Sequence, residues 1–361
     1  MNANCPVISS ALDEYLRKRL KPVEGTIPHL AGIEMYGNSI PAANADGDLF
    51  EYINFQQRYN IDARIERAER LSKQYMELLP EGSTPQNSVD LHLQWLKSQP
   101  GYTSDDAINY RRAKSSEQLR IAENLHELYT TAGVLLVDAQ GHGSIAAKIA
   151  STVHDTFHTA MLRELDLNGK TTAEVFEIIN LRLAQSVTAR NALGFGPDSS
   201  REIATMVYGE VRPDGLFRFV NFGHPPPLVF SAEYGRFMEI GKANMVRFPS
   251  LGLEVPEDHP DRNRYVSIIL RRSQMTSIDL DEITLMSKGD ILFLYTDGVY
   301  DGDDDAQKLE IERIIQDYKQ RPVKEICDAI LERALVRDDH LTRTGESDRI
   351  DDKTVFLIKR G

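Results

Sequence analysis

The stretch Val134 to Gly143, VLLVDAQGHG, places the tightest constraint on what this chain can fold into. An apolar run delivers Asp138 to a Gly-His-Gly turn, and a helical pattern follows at once. Apolar residues, then a carboxylate, then glycines that let the backbone turn sharply, describe a buried strand whose end opens into a site. Alone, the pattern also fits an ordinary strand-to-helix turn. The device recurs, however. Ile291 to Gly298, ILFLYTDG, is again an apolar strand ending in Asp-Gly, and Asp351-Asp352 stands before a last strand, Thr354 to Lys359. Carboxylates at three strand edges ask for a common explanation.

Composition narrows the options. A chain of 361 residues buries a large core and carries a length prior of about two domains, or one domain with a large insertion. Hydrophobic content of 41% with 27% charged residues is that of a globular protein. The formal charge of −13 argues against nucleic acid as a partner, because no basic stripe is left to track phosphates. A phosphorylated substrate would then have to be drawn in by metal charge. Cys5 and Cys327 cannot form a disulfide framework, which points to a reducing compartment. No signal-peptide pattern and no bilayer-length apolar run are visible, so the expectation is a cytoplasmic protein with no membrane partner.

The coarse pattern divides the chain. Ser10 to Lys21 reads as a short amphipathic helix within an N-terminal segment, 1–31. From Gly32 a strand, a connection rich in small residues and a second strand from near Leu49 make up a first part, 32–58, with Asp46, Asp48 and Glu51 at the junction. Residues 59–129 change character: Ile61, Ile65, Ala68, Leu71, Tyr75 and Leu78, then Leu119, Ala122, Leu125 and Leu128, recur at helical spacing. Pro80 to Pro85 and Gln99 to Tyr102 break this insertion into about three helices, with Trp95 expected to pack. The remainder, 130–361, predicts helices over Ser144 to Leu162, Thr171 to Thr188, Ala306 to Tyr318 and Val323 to Val336. Its strands are Ala204 to Val211, Leu216 to Phe222, Leu228 to Phe230, Tyr265 to Leu270, Gln274 to Leu280, Thr284 to Met286 and Ile291 to Tyr295. Segregated helices and hairpin-linked strands predict an α+β fold with antiparallel sheets.

Hard cations such as magnesium and manganese take oxygen ligands, and a pair of them about 3.5 to 4 Å apart can clamp a phosphoryl group. That chemistry needs aspartates gathered from distant strands, for which Asp48, Asp138, Asp297 and Asp351 are the candidates. Zinc is not expected, since no clustered Cys or His is read at ligand spacing. Cys327 and Arg333 have the spacing of a cysteine-nucleophile phosphatase, but Asp-Ala-Ile-Leu-Glu between them is helix-forming and lacks the glycine of an anion-binding loop.

The series Asp46-Gly47-Asp48-Leu49-Phe50-Glu51, Val137 to Gly143, Asn221-Phe222-Gly223-His224-Pro225-Pro226-Pro227-Leu228, Tyr295-Thr296-Asp297-Gly298-Val299 and Asp351-Asp352-Lys353-Thr354 resembles the metal-dependent (PPM) serine/threonine protein phosphatases. Within them it is most similar to the bacterial SpoIIE and RsbU branch. The resemblance leaves the Tyr59 to Tyr129 segment unaccounted for. The first motif has Ala45-Asp46-Gly47 where two glycines before the aspartate are common in the family, and Glu51 stands where an aspartate is usual.

The resemblance implies an α-β-β-α sandwich of two antiparallel sheets flanked by helices, with a helical insertion and a two-metal site, Mn2+ or Mg2+, between the sheets. It implies that Asp138 bridges the cations, that the Ala139 carbonyl binds one, that Asp297 and Asp351 complete the second, and that Asp48 binds the first directly or through water. Asp352 is a further ligand candidate. His142 is either a proton donor to the leaving oxygen or a helix cap. Asn221 and His224 are taken as a turn shaping the site. The implied substrate is phosphoserine or phosphothreonine on a STAS-type anti-anti-sigma regulator in a partner-switching system. A phosphatase-fold scaffold without turnover is the alternative. An insertion of about 70 residues exceeds a normal loop, and the expectation is a lid, a self-association surface or a docking site for a regulator, against a decorative subdomain.

Overall fold

The computed structural model describes residues 25–42, 47–77, 95, 98, 103–141, 143–192, 202–238, 240, 247–253, 281–285, 287–302 and 304–361. The expected N-terminal helix, the strands at 265–270 and 274–280, Cys5, Asp46 and His142 lie outside them. The described residues form two compact units. The first takes those up to Asn54, Thr130–Thr159 and those from Ala173 onward; the second takes Phe55–Tyr129 and Ala160–Thr172.

The first unit is built on two sheets. One has the order β1 (Ile33–Ile40), β11 (Lys353–Arg360), β10 (Ile291–Tyr295), β6 (Leu228–Ser231), β7 (Arg236–Met238), all antiparallel. The other has the order β2 (Asp48–Asn54), β3 (Ala132–Ala139), β4 (Ala204–Val211), β5 (Leu216–Phe222), β8 (Arg247–Phe248), with β9 (Asp281–Thr284) also on β5. It is antiparallel except for the two-residue β5–β8 pairing.

Side-chain alternation sorts each strand between two layers. Phe50 and Tyr52 of β2, Val134 and Leu136 of β3, Leu292 and Leu294 of β10, and Phe356 and Ile358 of β11 fill the space between the sheets. Intervening residues of β10 and β11, Phe293, Tyr295, Val355 and Leu357, pack instead with Ile311 and Ile315 of α6 (Asp305–Tyr318) and Ile326, Ile330 and Leu331 of α7 (Val323–Thr344). Truncating a fully buried ring such as Phe356 to alanine would cost about 3–5 kcal/mol. On the outer face of the second sheet, Phe157 of α4 (Ser144–Asn168) and Phe176 of α5 (Ala173–Ala192) meet Tyr208 with ring centroids 5.2 and 5.8 Å apart. Buried Ala146, Ala147 and Ala150 form the small-residue face of α4. The layers are therefore helix, sheet, sheet, helix, the expected α-β-β-α sandwich.

The second unit is helical where it is described: α1 (Phe55–Tyr59), α2 (Ile61–Met76), α3 (Ser104–Glu127) and the last part of α4. Ile61, Ile65 and Ala68 of α2 and Ile121, Ala122 and Leu125 of α3 are buried, and the hydroxyls of Ser72 and Ser115 meet at 2.7 Å. Thr103 starts α3 with a capping box, accepting from the Asp106 amide while the Asp106 carboxylate accepts from its own. Trp95 does not pack as expected: it is 55% exposed.

Candidate active site

Asp48 and Asp138 sit directly opposite each other, at the first residue of β2 and near the end of β3. The pleat that sends Phe50, Tyr52, Val134 and Leu136 between the sheets sends both carboxylates the same way, at the rim where the core ends. From the other sheet, Thr296 follows β10 and Thr354 lies on β11, and their hydroxyls donate to Asp48 Oδ2 at 2.7 and 2.8 Å. Asp48 thus ties the two sheets together.

Two glycines let the other acidic motifs close on this rim. A Cβ on Gly298 would lie 2.0 Å from the Asp352 carbonyl oxygen, so only glycine allows the Asp297 loop to rest against the Asp351-Asp352 backbone. A Cβ on Gly47 would lie 2.8 Å from Ala146 and 3.2 Å from both the Ala139 carbonyl and Asp352 Oδ2. The Asp352 carboxylate accepts from the amides of Ala42 and Gly47 at 2.6 and 2.7 Å, which latches the loop leading into β2. From α7, Arg337 donates to the carbonyls of Gly298 and Val299, while Asp338 pairs at 2.5 Å with the buried ammonium of Lys353. Lys353 in turn donates to the Asp351 carbonyl at 2.6 Å. One helix thereby fixes both the Asp297 and the Asp351 loops.

These acids act on one another through charge, although among the described residues no three of their carboxylates bring ligand atoms within 4.8 Å of one another. Burial and the charges of Asp297, Asp351 and Asp352 push the Asp138 carboxyl up to about 7, against a hydrogen bond from Thr205 that favours its ionised form. Burial and Asp351 raise Asp297 as well. Burial also raises Asp352, although its two amide bonds oppose the shift. An oxygen-only group of acids that repel one another fits hard divalent cations. Thr205 Oγ1 is 2.7 Å from His224 Nδ1, and Asn221 closes the His224 turn through two hydrogen bonds, from its Nδ2 to the His224 carbonyl and from the His224 amide to its Oδ1. The Asn-Phe-Gly-His turn therefore reaches Asp138 through one threonine.

Glu51 goes elsewhere. Three residues after Asp48, it leaves the opposite face of β2, is fully buried, and meets two histidines of α4. Its Oε2 lies 2.5 Å from His158 Nε2 and 3.0 Å from His154 Nε2. Burial works to raise its pKa, but hydrogen bonds and charge from both imidazoles prevail and hold the carboxyl at about 2. Among the described residues, these three form the group of potential ligand atoms lying within 4.8 Å of one another. The sequence does carry a ligand spacing, His-x-x-x-His over 154–158, that the expectation against zinc overlooked. Cys327 is in the middle of α7, buried, its thiol pushed well above the usual range by burial, and Arg333 pairs with Glu310, so neither belongs to an anion site. Among the described residues, no helix is long and apolar enough to cross a membrane.

Residues 130–361 match the family described as Stage II sporulation protein E (SpoIIE). No curated protein matches the chain in sequence. Among solved structures, the chain is similar to the SiaA-PP2C domain of Pseudomonas aeruginosa, at 12% identity and TM-score 0.51, with all of both chains covered. It is also similar to the RsbU and RsbW domains of Rv1364c from Mycobacterium tuberculosis, at 18% identity and TM-score 0.47, covering 92% of this chain and 61% of that one. At such identities the likeness to SiaA concerns the fold.

Proposed function

Because the chain belongs to the SpoIIE family, whose domain is of the PP2C phosphatase type, we propose that it is a metal-dependent phosphatase of phosphoserine or phosphothreonine in a protein. The observation that supports this reading is that Asp138, paired across the sheet with Asp48, is raised to about 7 by burial and by the charges of Asp297 and Asp351. In this reading Asp138, the Ala139 carbonyl, Asp297 and Asp351 hold two Mn2+ or Mg2+ ions, with Asp48 binding directly or through water. Bound there, the ions would supply positive charge for the phosphoryl oxygens and lower the pKa of water to the point where it attacks phosphorus.

The chain's own residues do the positioning. Thr296 and Thr354 orient Asp48, Thr205 orients Asp138, Arg337 and Lys353 fix the Asp297 and Asp351 loops, and Asp352, the further ligand candidate, latches the entry to β2. Asp297 and Asp351 lie in the rim yet keep solvent-accessible surface, which leaves a way in for a phosphorylated side chain. The family implies a STAS-type regulator as substrate, in the cytoplasm. The second unit is the candidate surface for a regulator or for self-association.

The test is phosphate release from a phosphoserine peptide and from an aryl phosphate with manganese or magnesium, with and without chelator. Asp297→Asn is expected to lower kcat at least about 1000-fold, as loss of a primary ligand would. Equal release by wild type and Asp297→Asn, or full activity in chelator, would refute the reading.

A further inference from the structure

Behind the strand that carries Asp48, we infer that Glu51, His154 and His158 form a second and chemically different metal site, one for a first-row transition ion with zinc as its best match. His154 and His158 are four residues apart on α4, which puts both imidazoles on one face of the helix, and Glu51 reaches them from β2. Two histidines at that spacing with a carboxylate from another element are a donor set that imidazole-preferring ions take, whereas magnesium and calcium favour oxygen alone.

The geometry is close to what an ion needs. Ligand atoms about 2 Å from a tetrahedral zinc are about 3.3 Å from each other. Here the two nitrogens stand 2.5 and 3.0 Å from the same carboxylate oxygen, with ring centroids 4.5 Å apart and planes at 70°. Opening each nitrogen-to-oxygen gap by less than about 1 Å would seat the ion, leaving a fourth position for water.

The independent observation is His154. This side chain is buried, and its Nε2, 3.0 Å from Glu51 Oε2, lies off the line of a hydrogen bond and has no other hydrogen-bond partner among the described residues. Its other nitrogen, Nδ1, lies 3.4 Å from the Asp155 carboxylate. In the tautomer with its proton at Nδ1, toward that carboxylate, His154 presents the Nε2 lone pair to Glu51 Oε2. A metal ion seated between the two would satisfy both at once. The carboxylate behind a ligating imidazole is also the arrangement that fixes the tautomer in zinc sites. Such an ion would fasten β2 to α4 on the side of the sheet away from Asp48 and Asp138.

The experiment uses the full chain, stripped of metal and then given millimolar magnesium so that the aspartate rim is supplied. Zinc is titrated against a chromophoric chelator, and the histidine ring nitrogens are followed by NMR. The wild type is expected to take one zinc per chain and to shift the His154 and His158 ring resonances. Glu51→Gln and His154→Asn are expected to weaken zinc binding about 100-fold, while Asp297→Asn keeps it. Ring resonances that zinc does not move in the wild type would overturn the inference, without relying on a variant that folds. So would zinc uptake that Asp297→Asn abolishes and Glu51→Gln leaves intact. Neither result bears on whether the aspartate rim hydrolyses phosphate.

Discussion

Asp48 and Glu51 lie three residues apart on β2, yet they leave opposite faces of the sheet and meet opposite company. Asp48 joins a rim where acids face acids, and burial and like charge push the neighbouring Asp138 up to about 7. Glu51 meets two imidazoles, which overcome its burial and hold it at about 2. Both environments are crowded; the sign of the neighbours, not the depth, decides which way a carboxyl moves. The rim is costly to the fold at neutral pH without a cation, whereas the imidazoles beside Glu51 favour its charged form.

This contrast can be broken most directly at the contact that builds the rim. Gly298→Ala puts a methyl group into the Asp352 carbonyl. It should lower kcat about 100-fold through displacement of the Asp297 and Asp351 loops, with a stability loss of about 3 kcal/mol in denaturant titration. Near-normal turnover in a folded Gly298→Ala protein would mean that the motifs need not touch.

Charge removal should act in opposite directions on the two faces. Glu51→Gln takes the buried carboxylate away from its two imidazoles and should cost about 3 kcal/mol. Asp297→Asn removes a repulsive charge and should raise metal-free stability at pH 7.5 by about 1 kcal/mol. Urea unfolding of both proteins reads the signs, and the same sign for both would dissolve the distinction.

The pH dependence separates the faces further. Between about 4 and 7 the folded rim retains a proton on Asp138 that the unfolded chain has released, so stability of the metal-free protein falls as pH rises through that window, on the order of 2 kcal/mol. Added magnesium or manganese should remove the fall. Glu51 contributes in the reverse sense, its stabilisation being complete above about pH 4.5 and lost as pH drops toward 2. A metal-free melting temperature that does not change from pH 5 to 7.5 would contradict the crowding at the rim. The smallest effect is expected from Thr205→Val, which cuts the link from the His224 turn to Asp138 and should lower kcat about 10-fold.

Antiparallel sheets with segregated helices, and the strand-end positions of the aspartates, were legible in the chain because both follow from a period of two, whereas the layered sandwich was implied only by the family resemblance. An apolar run that ends in Asp at a glycine turn must leave that Asp at a sheet edge, and β3 and β10 do so. What holds those acids was not legible. Thr296, Thr354, Arg337 and the Lys353–Asp338 pair act across separations in sequence that no local pattern encodes. Glu51 was read with Asp48 and Asp46 as one acidic junction, although strand alternation already sends residues 48 and 51 to opposite faces. His154 and His158 were hidden inside a helix read for its alanines. Trp95 shows the reverse error, since size alone does not bury a ring.

Gly298 and Gly47 also bear on how such a rim can change over time. A single methyl at either place is a wedge that silences the centre while every acid survives, so inspection of the acids alone would score the altered chain as competent. Sister sequences that keep all the aspartates but carry alanine or serine at these two places are therefore where dormant copies of this domain should be sought.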